Sequence, residues 1–208
     1  TMYCQYLTII NFGFPDMKNS RRKCVFYCVL RVIGVCVIAS GCTGPVDETE
    51  APKNVILFIG DGMGPTTVTA ARIFDGQSRG ESGEENVLSF EKFPHVALVK
   101  TYNTNQQVPD SAGTATAIHS GVKTRAGVIA VSPSVKRGSC AESLINSLPT
   151  VAEIAKAKGI GVGIVTTTRL THATPATLYA HSAERNWEND SFLSESARQG
   201  GCRDIAHQ

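Results

Sequence analysis

Apolar positions along the chain come in short continuous runs rather than one long periodic stripe. The run Asn54-Val55-Ile56-Leu57-Phe58-Ile59-Gly60 ends in glycine and predicts a strand buried on both faces, as in a parallel sheet. After a glycine-rich turn, residues 66–74 predict a helix, and the Gly-, Ser- and Glu-rich stretch 76–86 predicts a surface loop. Residues 95–101 predict a second strand from their β-branched content. The small residues of 112–119 predict a helix, and 120–147 predicts no regular element. Thr150 then supplies an N-cap with Glu153 three residues on, a capping box. That helix runs through 152–158, and Gly159 supplies a left-handed stop. Residues 160–165 predict a third strand. Strand, helix and strand in alternation predict an α/β fold around a mainly parallel sheet. Ligands in such sheets gather beyond the C-terminal strand ends, so the residues after Gly60 and after Val165 are expected at one edge.

The N-terminal region does not share this alternation. Five of the seven cysteines lie within the first 42 residues. Met17-Lys18-Asn19-Ser20-Arg21-Arg22-Lys23 reads as the positive start of an export signal, followed by an apolar run over 24–41. The run ends in Ala39-Ser40-Gly41-Cys42, which is similar to a bacterial lipobox and makes Cys42 a candidate for lipidation and membrane anchoring. An ordinary secretory signal with a small-residue cleavage site is the alternative. A membrane-spanning helix is disfavoured, because Arg31 inside the run costs about 2.5–3.5 kcal/mol at a bilayer centre. Ser20-Arg21-Arg22 matches a twin-arginine signal poorly. The expected organisation is a leader of uncertain status over 1–16, an export signal over 17–42, a polar tether over 43–52 and a folded part over 53–208. The expected location is exported: periplasmic, a membrane-anchored lipoprotein, or secreted.

Composition narrows the class further. The chain has 208 residues, 42% apolar, which excludes a disordered chain and allows a real core. Twenty Lys and Arg against eighteen Asp and Glu leave a net charge of +2, so a dedicated nucleic-acid binder is disfavoured.

Three motifs fall at the predicted sheet edge. In Gly60-Asp61-Gly62-Met63-Gly64, a carboxylate flanked by glycines either meets a metal ion or caps the next helix. In Asp110-Ser111-Ala112-Gly113-Thr114, the serine opens a helix whose first N–H groups favour an anion such as phosphate, or it is a plain N-cap. Asp110 is placed to orient a partner. In Thr171-His172-Ala173-Thr174-Pro175, Thr174 before Pro175 predicts a helix start, with His181 and Arg185 on one face of that helix. Arg185 there either grips a phosphoryl group with its planar fork or is solvated while His181 packs.

Together, NVILFIGDGMG, TVTAARI, KFPHVALVKTYN, VPDSAGTATA, GVK, VGIVTTTRLTHATPATLYAHSAERNW and SARQGGCRDIA resemble the alkaline phosphatase family, from about Lys53 to Gln208. Sulfatases and cofactor-independent mutases share the metal strand but not DSAGTATA. The resemblance implies a three-layer α/β sandwich and hydrolysis of phosphate monoesters at alkaline pH, with two zinc ions and one magnesium. It implies that Asp61 bridges a zinc and the magnesium, and that Ser111 is the nucleophile that becomes phosphoserine and touches metal. On the same resemblance Arg185 holds the substrate's non-bridging oxygens, and Thr174 is a magnesium ligand. His172 lies beside the third metal, at a position where aspartate marks a magnesium-dependent bacterial type and histidine the animal type and some others. Cys140 and Cys202 are implied as a disulfide, in keeping with an exported compartment. Asn189-Asp190-Ser191 is an N-glycosylation triplet that matters in a eukaryotic host. The lipobox-like end points to a bacterial host and His172 with the cysteine pair to an animal one, and the reading leans bacterial.

The resemblance also places further Asp, His and Glu metal ligands past Gln208. The fold is then expected to be incomplete at the C-terminal side, and this piece alone inactive while a full-length product is a phosphatase and, as is usual in the family, a homodimer. Two other readings stay open: an exported, metal-poor phosphate-binding chain without hydrolysis, and a truncated product that does not fold. The leaving group of the substrate is not specified.

Overall fold

The computed structural model describes residues 54–208. The leader, export signal and tether, with Cys42, lie outside the described residues. Helix α1 spans Pro65–Ser78, with Pro65 in the first turn and Gly64 as an N-cap that makes no side-chain bond. Proline is tolerated there because its missing N–H has no helical partner anyway. The helix runs into the stretch expected as loop. Gly76 near its end is obligatory, since a Cβ there would meet the Gly83 Cα at 2.7 Å.

Helix α2, Ser111–Ser120, is capped by Asp110, not Ser111: the Asp110 side chain accepts from the Gly113 N–H and Gly121 ends the helix at φ 73°. Helix α3, Cys140–Ile145, lies inside the stretch expected to be irregular. Helix α4, Val151–Ala157, carries the expected capping box between Thr150 and Glu153, and Gly159 follows at φ 74°. Helix α5 is a single turn, Ala173–Ala176, capped by His172, and α6 spans Glu195–Gln199. Pro175 is therefore third in its turn and Thr174 second, a correction to the expected cap at Thr174. Proline fits here too, because the first N–H groups of any helix lack an internal acceptor.

The core is organised by a buried run that sequence pattern did not flag. Residues 126–131 are all buried. Ile129 and Ala130 pack with Ala112 of α2, Ala173 and Ala176 of α5, Ala180 and Ile205. Val128 and Val131 face a second cluster of Val135, Ala183, Trp187, Leu193 and Ala197. The run is bridged on both sides, antiparallel, by Ile129 to Ser182 and by Val131 to Ser147. The tiny side chains of α2 let α5 approach closely, and this helix pair anchors the site.

A disulfide joins Cys140 and Cys202 across a sequence separation of 62, with Cα atoms 5.8 Å apart. Both cysteines pack against the second cluster. Chain-entropy reasoning gives such a loop a stabilisation of about 4 kcal/mol.

The three runs expected as buried strands pair with no neighbour in a named strand among the described residues. Many of their side chains are exposed, Phe58 to 64% and Leu98 to 86%, with Val165 fully so, while Ile160 is buried and Val55, Leu57 and Ile59 are half-buried. A strand is stabilised by backbone pairing and by cover on its faces, and the described residues supply no named-strand partner and only partial cover. Runs 55–61 and 161–168 line an open groove of about 960 Å³ that reaches Asp61, His119 and Thr174. No helix among the described residues is long and apolar enough to cross a membrane.

Candidate active site

Three chain segments far apart in sequence meet at Asp61. Its Oδ1 accepts from the Ser111 hydroxyl at 3.0 Å, and its Oδ2 from the Thr174 hydroxyl at 2.8 Å. Asp61 caps no helix, which leaves both carboxylate oxygens free for these contacts. Ser111 is there because it opens α2, and Thr174 because it sits on the turn α5 that packs against α2.

Asp110 fixes the second half of the site. Oδ1 accepts from Asn103 Nδ2 at 2.9 Å and Gly113 N–H at 3.0 Å. Oδ2 accepts from Gly127 N–H at 2.9 Å and Arg185 Nη1 at 3.0 Å. Four donors saturate the carboxylate, so one residue caps α2, ties it to the buried run and orients Arg185. Gly113 is required by this crowding, since a Cβ there would meet Asn103 Oδ1 at 2.6 Å.

Arg185 does not share a helix face with His181. Ser182 exchanges both backbone hydrogen bonds with Ile129, at 2.8 and 2.9 Å, which takes the chain out of helix before either residue could align. His181 turns instead to the Ala130 carbonyl at 2.8 Å and Glu153 at 3.0 Å. Arg185 turns to Asp110 and, through Nη2, to His172 Nε2 at 3.2 Å. Arginine only donates, so His172 Nε2 accepts from it, while Nδ1 faces the Thr174 N–H at 3.4 Å and lies 3.8 Å from Asp61 Oδ2. Burial, then the Arg185 charge, holds His172 below its ordinary pKa.

Behind His172, Glu188 accepts two hydrogen bonds at 2.7 Å from Arg169 and one at 2.6 Å from the Thr171 hydroxyl. The Arg169 hydrogen bonds chiefly hold its pKa down to about 2. This clamp fixes the loop that carries His172 and Thr174. Asn103, Gly127 and Glu188 were not singled out by sequence pattern. Their partners lie 7 to 19 residues away, beyond the reach of any short motif.

As metal donors, one carboxylate and two hydroxyls form an oxygen set that suits a hard cation such as magnesium, with water completing its shell. Zinc commonly takes three or four protein ligands. Among the described residues no group of three or more His, Cys, Asp or Glu is arranged to hold a metal ion. The site thus fits one hard cation at Asp61 and Thr174, and it does not by itself fit two zinc ions.

Residues 52–208 match the alkaline phosphatase family. The tissue-nonspecific alkaline phosphatase of Gallus gallus is 56% identical over 156 residues, covering 75% of this chain and 30% of that protein. The Homo sapiens enzyme of the same name is 54% identical over 161 residues, covering 77% of this chain and 31% of that protein. Among solved structures, the cold-active alkaline phosphatase of a psychrophilic Shewanella species superposes with a TM-score of 0.50 at 29% identity, covering 68% of this chain and 37% of the other. The chain spans about a third of the length of these relatives. On the extent of the family match and these identities, the chain belongs to the alkaline phosphatase family.

Proposed function

We propose that this chain carries the nucleophile half of a phosphate monoester hydrolase. The observation that carries the reading is the meeting of Ser111 and Thr174 on the two oxygens of Asp61, beside an arginine locked by Asp110. The Ser111 oxygen attacks phosphorus, the ester oxygen leaves as an alcohol, and water then releases phosphate from phosphoserine. Ser111 has no histidine base, and its proton points at Asp61. Arg185, fixed on one side by Asp110 and on the other by His172, presents positive charge to the non-bridging oxygens. The Ser111 and Ala112 N–H groups at the start of α2 have no protein acceptor among the described residues and add a second anion-facing element. Asp61 and Thr174 would hold a divalent cation, magnesium by donor type, beside the Ser111 hydroxyl. When bound, such a cation would supply positive charge that favours the serine alkoxide.

The donor count supports a second part of the reading: residues 1–208 alone do not turn over. The purified chain, given zinc and magnesium and a chromogenic phosphate ester, is expected to match its Ser111→Ala variant. Joined to the remaining length of the chicken relative, it is expected to hydrolyse the ester and to lose that activity with Ser111→Ala. Full hydrolysis by the joined Ser111→Ala protein would overturn the reading. The scarcity of metal donors favours, as a second reading, phosphate binding without hydrolysis. Calorimetric titration showing tight phosphate uptake without zinc, and an inactive joined protein, would select it.

We further infer that residues 53–208 form the N-terminal part of the catalytic domain. Runs 54–60, 95–101 and 160–165 serve as strands of a mainly parallel sheet once paired. Their apolar, β-branched composition supports this. The Cys140–Cys202 disulfide supports an exported location. Whether Cys42 adds a lipid anchor, and whether a full-length protein dimerises, belong to the same proposal.

A further inference from the structure

Asn189-Asp190-Ser191 is the sole Asn-X-Ser/Thr triplet in the 208 residues, and the chemistry above does not use it. The chain around it is pinned at both ends. Trp187 and Leu193 are buried in the second core cluster, while the four residues 189–192 between them are exposed. Asn189 Oδ1 accepts from the Ser191 N–H at 3.0 Å and from the Ser191 hydroxyl at 2.5 Å. With its oxygen held against the chain, the carboxamide leaves Nδ2 without a protein partner among the described residues. A plain turn explains the N–H contact but gives no reason for a hydroxyl at 191, since the N–H alone closes it. Beside it Phe192 is left 63% exposed, an apolar surface that a bulky hydrophilic group would shield.

A second observation concerns compartment. The Cys140–Cys202 disulfide packs against the same cluster that anchors Trp187 and Leu193. Disulfides persist in the oxidising lumen through which secreted proteins pass. The chain is also more similar in sequence to the vertebrate relatives than to the bacterial one, and in animal cells that lumen is where asparagine-linked glycans are added.

We propose that Asn189 is an N-glycosylation site. The donor is an oligosaccharide carried on a lipid pyrophosphate. A bond forms between Asn189 Nδ2 and the anomeric carbon while the anomeric carbon–oxygen bond breaks. The lipid pyrophosphate leaves with that electron pair, and the amide gives up one proton. The exposed turn lets the folded chain carry the sugar with no core residue displaced. This assignment does not depend on the phosphatase reading.

The full chain is expressed behind a cleavable secretion signal in cultured animal cells, and formation of the Cys140–Cys202 disulfide, seen as a shift on a non-reducing gel, marks entry into the lumen. The expected result is one discrete step of added mass that an amide-cleaving glycosidase removes, leaving aspartate at 189 by mass spectrometry. Asn189→Gln and Ser191→Ala are expected to lose the step, and Ser191→Thr to keep it. Transfer takes place on the nascent chain, so the comparison of the two Ser191 variants holds whether or not a variant folds well. A chain that has formed its disulfide but has the same mass before and after the glycosidase overturns the proposal. So does a mass step that survives Asn189→Gln.

Discussion

His119 is the residue whose protonation couples the core to the site. Thr177 Oγ1 donates to the Thr174 carbonyl at 2.9 Å, so its one hydrogen is committed. It must then accept from His119 Nδ1, 2.7 Å away. That fixes the tautomer and leaves Nε2 as a bare acceptor, buried and without a partner. Burial pushes the His119 pKa down to about 4 from its ordinary 6.5. Between those two values the unfolded chain binds a proton that the native chain refuses, so stability falls as pH falls. Below pH 4 the loss is complete and on the order of 3 kcal/mol. Glu188 acts in a lower window: its depressed pKa of about 2 gives stability that is lost as pH falls from 4.5. The two effects separate in urea unfolding measured from pH 7 to pH 5, where carboxylates scarcely titrate. His119→Gln is expected to flatten the fall in midpoint over that range. An unchanged slope would show that His119 is not the group that titrates.

Helices held by bonds inside four residues behave differently from those held by distant partners. At α4 the Thr150 hydroxyl accepts from Glu153 N–H at 3.2 Å, and Glu153 accepts from Thr150 N–H at 2.8 Å. The same hydroxyl donates to the Leu178 carbonyl at 2.8 Å, at the end of the segment that carries Thr174. Thr150→Val removes a cap and leaves that carbonyl unpaired, at a cost of about 2 kcal/mol. The urea midpoint should drop with unchanged slope. Because its box is local, α4 was readable from sequence, and so was α2 from its run of small residues. Helix α5 was misjudged because the Ile129–Ser182 bridge ends the segment, a partner 53 residues away in the chain. Helix α3 was missed because Ser139 makes no cap bond and the disulfide from Cys140 helps hold the segment. The same division runs through the site. Asp61, Ser111 and Thr174 stand within two residues of a glycine or proline in short motifs and are legible there. Asn103 and Gly127, which hold Asp110, look like ordinary loop residues until the fold places them there.

At the scale of the whole molecule, the helical half is packed and the strand-like runs are largely bare. Phe58, Leu98 and Val165 carry large apolar side chains into solvent, which is a recipe for association through unpaired edges. The structure separates two readings of these residues by sign. If they were core residues, replacing all three with serine would create cavities and cost several kcal/mol each. Exposed as they are, they contribute few buried contacts to lose, so the triple variant Phe58→Ser, Leu98→Ser, Val165→Ser should nearly keep the thermal midpoint of the parent. It should also bind less apolar dye and show weaker concentration-dependent light scattering. A midpoint that collapses would mean these side chains are covered in solution by a second copy or by another part of a longer chain. An unchanged midpoint with unchanged scattering would move the source of association to other exposed apolar positions, of which Val99 and Ile56 are the nearest in sequence. The expected outcome, unchanged stability with reduced association, follows from one physical asymmetry. Helices such as α2 satisfy their own backbone, whereas a strand needs a neighbour, and among the described residues these three runs have none in a named strand.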